Sequence, residues 1–249
     1  MALNTEKNVY TVLFAALMVI AVGSVLAFVA SGLSERIAEN ERFEKQQNIL
    51  YAMGVNENRN EGSVSFVPTT VVEEEFQKYI KEQWVIEGEE RTQNDEAYLI
   101  DLKKEIAAAK KGQTPKLPVF IGEKDGKKYH ILPMYGKGLW DAIWGFISVD
   151  ENMVVQGVYF DHKAETPGLG ANIKMRYFMD DFIGESLMDG SRYTGVSVAK
   201  GNNDPLNQRK DDNAVDALAG ATITGNGVSA MIRESVNLYK DYLETIREN

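Results

Sequence analysis

Between positions 8 and 34 the chain carries no charged residue. Residues 9–33 read VYTVLFAALMVIAVGSVLAFVASGL, longer than the roughly 20 residues a helix needs to cross the hydrocarbon core of a bilayer. A single membrane-spanning helix is the expectation. A cleaved export signal is the competing reading, with Ala30, Ser31 and Gly32 as its processing site. Such signals have apolar cores of about 7–15 residues and a basic leader, whereas this run is much longer and is preceded only by Glu6 and Lys7. An anchor therefore fits better. Lys7 precedes the span and Arg36, Arg42 and Lys45 follow it, but long domains translocate largely regardless of such charges. Sidedness is not encoded there. With no Asp, Glu, His, Lys or Arg, the span offers no evident ion path of its own.

The rest of the composition excludes whole classes of chemistry. Lys and Arg number 27 against 37 Asp and Glu, a net charge of −10, which argues against a nucleic-acid binder because phosphate contacts need clustered cations. There is no Cys, so the chain itself supplies no iron–sulfur cluster, thiolate zinc site, disulfide or Cys nucleophile. His130 and His162 are the two histidines, too few for a multi-histidine metal site. Carboxylate sites remain open, though no metal-ligating residue is singled out, and redox chemistry would have to come from a bound organic cofactor.

Hydrophobic patterning then sets the order of elements. Residues 34–52 keep helical spacing at Ile37, Phe43, Ile49 and Leu50, suggesting a stalk, and polar residues 56–68 read as a linker. Thr70 and Glu73 have the spacing of a capping box opening a helix to about Glu82. A second helix is expected over 96–111, ending at Gly112. From residue 117 onward, runs at 117–121, 128–133, 142–149 and 154–161 are short, rich in Val, Ile, Phe and Tyr, and separated by turn signals at 123–126 and 150–152. They predict an antiparallel sheet. A helix over 172–187, a strand over 193–199 and a last helix over 227–246 complete the reading. The expected fold class is α+β, divided as an anchor (1–34), a helical stalk and insertion (35–115), and a sheet domain with flanking helices (116–249).

Three clusters carry candidate chemistry. Residues 216–224, DALAGATIT, set Gly220 and Ala221 before two hydroxyls, Thr222 and Thr224, with a helix following. Small residues allow close backbone approach, and a helix N-terminus favours an anion such as phosphate. Residue type alone also describes an ordinary Thr-rich capping turn. Residues 161–170, DHKAETPGLG, form a Gly/Pro loop in which Glu165, Thr166, Gly168 and Leu169 could line a pocket; His162 reads as a loop residue. Residues 136–145, GKGLWDAIWG, place Gly138 and Trp140 where a planar ligand could stack, with Trp144 belonging to a strand.

The first cluster resembles the flavinylation motif of the FMN-binding domain family: Asp, two variable residues, Ser or Thr, then Gly, Ala, Thr, any residue, Thr. The resemblance maps Asp216, Gly220, Ala221 and Thr222 onto that pattern and implies that Thr224 carries FMN through a phosphoester. Ala219 stands where Ser or Thr is commoner, removing one hydrogen bond. The family has a similar ETPGLG stretch, which implies that Thr166 and Leu169 lie against the flavin ring, and a comparable GLW segment near the flavin. Lys200 takes a place where a basic side chain could face a reduced, anionic flavin. A Thr hydroxyl is a weak nucleophile needing an external base, and the resemblance implies a separate magnesium-dependent flavin transferase using FAD. Thr224 is then a tether rather than a catalyst.

Taken with the single span, the layout is most similar to membrane-anchored flavin subunits of sodium-pumping NADH:quinone reductases. The related flavoprotein of Rnf ferredoxin:NAD complexes is next, and the insertion near 70–112 and the chain length favour the former. The resemblance implies an electron carrier between membrane, iron–sulfur and flavin subunits of one respiratory complex, in the bacterial cytoplasmic membrane with its soluble domain on the periplasmic side. No nicotinamide site is expected, because GKGLWD lacks the third glycine of the dinucleotide fingerprint. Two other classes predict different behaviour. A non-flavinylated, membrane-anchored binding protein predicts no chromophore; a free-standing flavin reductase predicts turnover without partners.

Overall fold

The computed structural model describes residues 8–59, 62 and 64–247. Glu6 and Lys7, the leader of the apolar run, lie outside the described residues. Helix α1 (Asn8–Ala52) is 45 residues long, and its most apolar stretch has a mean hydropathy of 2.8. Val9, Leu13, Phe14, Leu17, Ile20 and Phe28 all stand exposed on it. By length and composition the helix can cross a membrane. The chain divides into two units, the first ending at Arg42 and the second comprising Phe43–Asn249.

The second unit is built on one antiparallel sheet. Its strands are β1 (Ile80–Glu87), β2 (Glu90–Gln93), β3 (Lys116–Lys124), β4 (Lys127–Lys137), β5 (Ala142–Val149) and β6 (Val155–His162), in the order β2-β1-β3-β4-β5-β6. Strands β3 to β6 run as a meander. Asp125 and Gly126 both take positive φ, 52° and 73°, the conformation of the two-residue turn whose twist matches a hairpin. Helix α2 (Val72–Tyr79) packs on β1 and β3, helix α3 (Leu102–Ala109) on β3 and β4, and the long helix α5 (Thr222–Leu238) across β4. The last turns of α1, with Ile49, Leu50 and Ala52 fully enclosed, belong to the same core. On β6, Phe160 meets Phe178 and Phe182 edge-on or tilted, with centroids 6.0 and 5.1 Å away.

Two further strand pairs are small: β7 (Met188–Asp189) with β8 (Arg192–Tyr193), and β9 (Ser197–Val198) with β10 (Ala214–Val215). The α+β class and the antiparallel sheet agree with the reading from sequence. Several local expectations do not. Residues 80–93 form two strands of the main sheet, so the stretch expected to be a helical insertion contributes β1 and β2, with Trp84 opposite Val119 and Ile86 opposite Leu117. The Thr70–Glu73 capping box is absent: α2 begins at Val72 behind Val71, with no side-chain cap. The helix expected over 96–111 is a 3₁₀ turn (Ala97–Leu99) followed by α3, capped by Asp101, whose carboxylate accepts from the Lys104 N–H.

The region 172–187 is also broken up. It holds a 3₁₀ turn (Gly170–Lys174) and the short helix α4 (Arg176–Asp180), and Gly184 at φ 89° forbids continuation. The strand expected over 193–199 is divided between β8 and β9. Helix α5 starts at Thr222, five residues earlier than periodicity indicated, and a second helix, α6 (Lys240–Arg247), follows a break at Tyr239. At the break Tyr239 takes φ −92° and ψ 5°, and its buried hydroxyl donates to the Pro118 carbonyl at 2.9 Å, fixing the chain to β3.

Candidate functional site

Register brings the three sequence clusters together. Lys137 lies opposite Ala142 and Ile143 opposite His162, so the loop following β6 emerges beside the β4–β5 hairpin. That hairpin closes through the Gly138 N–H to the Asp141 carbonyl at 2.8 Å, and the Lys163 N–H reaches the Ala142 carbonyl at 3.0 Å. The first turn of α5 arrives from the other direction. It comes close because Gly227 has no Cβ, which would otherwise collide with the Lys137 carbonyl oxygen.

Glu165 joins all three pieces. Its side chain is almost wholly buried; Oε1 accepts the Trp140 backbone N–H at 2.9 Å, and Oε2 accepts the Thr224 hydroxyl at 2.6 Å. Its own N–H donates to His162 Nδ1 at 3.2 Å. Burial pushes the Glu165 carboxyl up, but the Thr224 hydroxyl and the N–H groups of Trp140 and Asp141 outweigh it and hold the carboxyl below the usual glutamate value. The group is therefore an anion at neutral pH, and a charge-assisted bond to Thr224 is among the stronger hydrogen bonds available. Thr224 is only 1% exposed.

The motif around Thr224 is shaped by its backbone. Asp216 Oδ1 accepts the N–H groups of Asn203 and Asp204 at 2.9 and 3.1 Å, fixing the loop that precedes the motif. Gly220 sits at φ 68°, a left-handed conformation open to glycine at no steric cost. Ala221 is the N-cap, and Thr222 is the first, exposed helical residue. None of the first-turn residues of α5 is acidic; the Glu165 carboxylate reaches that turn through the Thr224 hydroxyl, and the positive end of the helix dipole favours an anion such as phosphate.

An apolar rim surrounds this turn. Trp140 is 66% exposed, Ile223 57% and Leu169 41%, although large apolar side chains on a soluble face ordinarily pack inward. The Trp140 indole is held in place by its Nε1–H donating to Thr166 Oγ1 at 3.2 Å. A cleft of about 590 Å3 opens on the hairpin side, lined by Trp140, Tyr135, Lys137, Lys103, Lys110 and Gly227 among others. Planar, partly apolar cofactors are held in sites of this size and lining. Gly168, at φ 78°, turns the loop between Thr166 and Leu169.

Thus Gly220, Ala221, Thr222, Thr224, Glu165, Thr166, Gly168, Leu169, Gly138 and Trp140 fall in one neighbourhood, while Asp216 bonds to the preceding loop at Asn203 and Asp204. Lys200 is exposed just after β9, and no hydrogen bond or ion pair among the described residues ties it to the others. Two residues escaped the reading from sequence. Gly170 closes over Thr224, where a Cβ would meet Thr224 Oγ1 at 2.6 Å; its signal was the final glycine of ETPGLG. Ile223 completes the apolar rim, and its signal was a large aliphatic side chain placed between two threonines.

Fold and site together define a flavin-binding class of domain: the FMN-binding domain family matches residues 138–237. The wider comparison is more particular. The C subunit of the Na(+)-translocating NADH-quinone reductase from Yersinia pestis is 27% identical, covering 98% of this chain and 95% of its own length. Its counterpart from Pseudomonas aeruginosa is 29% identical, with 92% and 91% covered. The crystal structure of the same subunit from Parabacteroides distasonis is 30% identical, spans 85% of this chain and 96% of its own, and superposes with a TM-score of 0.70. The chain belongs to this family, the C subunits of Na(+)-translocating NADH-quinone reductases.

Proposed function

We propose that this chain is a membrane-anchored electron-carrier subunit with FMN linked through a phosphoester to Thr224, working inside a sodium-translocating NADH:quinone reductase. The observation that carries the reading is the convergence of the Thr224 hydroxyl, a helix N-terminus whose own first turn holds no acidic residue, and an exposed rim of Trp140, Leu169 and Ile223. The residues fit the group. The first turn of α5 would face the phosphate, Trp140 and Leu169 would flank the ring, and Gly138 and Gly220 would keep its path clear of side chains.

The chemistry supplied by bound FMN is uptake and release of electrons one at a time, which the polypeptide lacks. This chain's own residues tether, orient and shield. The donor would be an iron–sulfur centre and the acceptor a flavin, both on other subunits of the complex. Neither nicotinamide binding nor ion conduction is assigned to this chain, since 8–34 contain no Asp, Glu, His, Lys or Arg and the dinucleotide fingerprint is incomplete. Attachment is assigned to a separate flavin transferase. Helix α1 holds the protein in the bacterial cytoplasmic membrane, with the flavin domain, taken as 116–249, on the periplasmic side.

The test is expression with and without a flavin transferase, followed by denaturing electrophoresis under ultraviolet light and peptide mass mapping. FMN less one water on the peptide containing Thr224, lost in Thr224→Val, is the expected result. An unmodified Thr224 beside a transferase active on a control substrate overturns the reading.

A further inference from the structure

We propose that FMN cannot be attached to the chain in its closed form, and that attachment takes place on an open form in which the loop 163–170 is lifted from the start of α5. The inference rests on Thr224 being the attachment residue, the FMN phosphoryl passing from FAD to Thr224 Oγ1 as the pyrophosphate bond of FAD breaks, with AMP leaving and the hydroxyl proton going to a base of the transferase. It adds an order of events: the loop opens first, modification follows, and the Glu165–Thr224 contact does not re-form. Glu165 is the positioning residue that sets this order.

Access is the first argument. The Thr224 hydroxyl is enclosed, with Glu165 Oε2 at 2.6 Å on one side and Gly170 on the other. The gap there is too small for one methyl group, so it cannot admit a tetrahedral phosphoryl group approached in line by the hydroxyl oxygen. Charge is the second. A phosphodiester at Oγ1 carries a negative charge and no proton to donate, so it would take the Thr224 hydrogen bond from the Glu165 carboxylate and set an anion against it, with only the Trp140 and Asp141 N–H groups left as donors. Like charges at such separation in a water-poor site repel strongly. The present contact and the modified product exclude one another.

The structure also indicates which side yields. The first turn of α5 is secured by the Gly225 N–H to the Ala221 carbonyl at 2.9 Å and by burial of Gly225 against Val198. By contrast, 166–169 are exposed. At its start the loop is held to the β4–β5 hairpin by Lys163, through its N–H to the Ala142 carbonyl and its ammonium to Asp141; beyond that it is held through Glu165, the Trp140 Nε1–Thr166 contact, and packing of Leu169 over Gly220. Releasing Glu165 removes the principal polar tie between the loop and both other pieces of the site. After attachment, Glu165 no longer meets Thr224, and the Trp140 N–H needs another acceptor.

The experiment uses the unmodified full chain in detergent, purified transferase, FAD and Mg2+, with wild type, Glu165→Ala and Glu165→Gln compared. Time courses of covalent flavin are read from in-gel fluorescence, and hydrogen exchange is followed in peptides covering 163–171 before and after attachment. Glu165→Ala is expected to be modified at least about tenfold faster, the factor one charge-assisted hydrogen bond is worth. Exchange in 163–171 is expected to quicken on attachment. Thr224→Val, which cannot be modified, should quicken it without any flavin. Equal or slower modification of both Glu165 variants, with unchanged exchange in 163–171, overturns the proposal while leaving Thr224 as the attachment site. Absence of flavin on wild-type Thr224 fails the functional reading itself, and the two failures are told apart by that one lane.

Discussion

Lys210 holds its Nζ 3.6 Å from Oε1 of Glu185, a carboxylate with no exposed surface. Burial pushes Glu185 up to about 7, the pull of Lys210 notwithstanding, and nearby Asp212 adds to the rise. The folded chain therefore keeps a proton that the unfolded chain releases near 4.5. Stability should fall as pH rises from about 4.5 to 7 and level off above. Glu185→Gln, which stays neutral, should flatten that part of the curve. Denaturant titrations of both proteins at about pH 5, 6, 7 and 8 check it, and parallel curves across that window would refute the assignment.

Gly170→Ala tests the packing over Thr224. The new methyl would collide with the Glu165 carboxylate and approach Thr224 Oγ1 at 2.6 Å. Both are fixed by their mutual bond, so the strain has no easy outlet, and overpacking of this kind costs about 1–3 kcal/mol. A lower unfolding midpoint in urea, with an unchanged slope, is expected. Gly168→Ala is the control for backbone conformation, since nothing lies near its Cβ position.

How far such residues were readable beforehand depends on whether the cause is local. The meander β3–β6 was legible because each strand alternates or runs apolar and because Asp125-Gly126 names its own turn. Strand β1 was not: its sequence, IKEQWVIE, follows directly on an acidic helix, and what makes it extended is pairing with β3. The start of α5 was missed because Thr, Gly and Asn are weak helix formers, and the helix is held by packing on β4 rather than by propensity. The motif residues of the site were visible as types. That Glu165 would meet Thr224, across 59 positions, follows only from the register of β5 with β6 and from the approach of α5 allowed at Gly227.

Trp140 should report the bound flavin. Its ring is exposed and is oriented by one hydrogen bond to Thr166, so stacking with a planar ligand is worth about 1 kcal/mol beyond its buried area. Covalent loading should quench Trp140 emission, and the quenching should be lost in Trp140→Phe, leaving Trp84 and Trp144 as the remaining emitters. In Trp140→Ala, flavin attachment should persist while flavin anisotropy drops. Unaltered anisotropy would mean that the ring lies elsewhere.

Glu165 should respond to pH in the opposite sense to Glu185. Its donors hold the folded carboxyl below the ordinary value of 4.5, so the folded chain releases a proton that the unfolded chain still binds. That stabilisation is complete above about 4.5 and is lost as pH falls through the folded value. Glu165→Gln removes this acid-side loss, and the difference between wild type and variant should therefore shrink only below about pH 4.5. Thr224→Val takes away the shortest of the bonds to the carboxylate and should move the same loss to higher pH. The measurement is urea unfolding of the unmodified chain between about pH 3 and 6. Because the Glu185 slope lies above about 4.5 and the Glu165 slope below it, the two carboxylates separate in one scan. A Thr224→Val curve that coincides with wild type on the acid side would show that the 2.6 Å contact does not persist in solution.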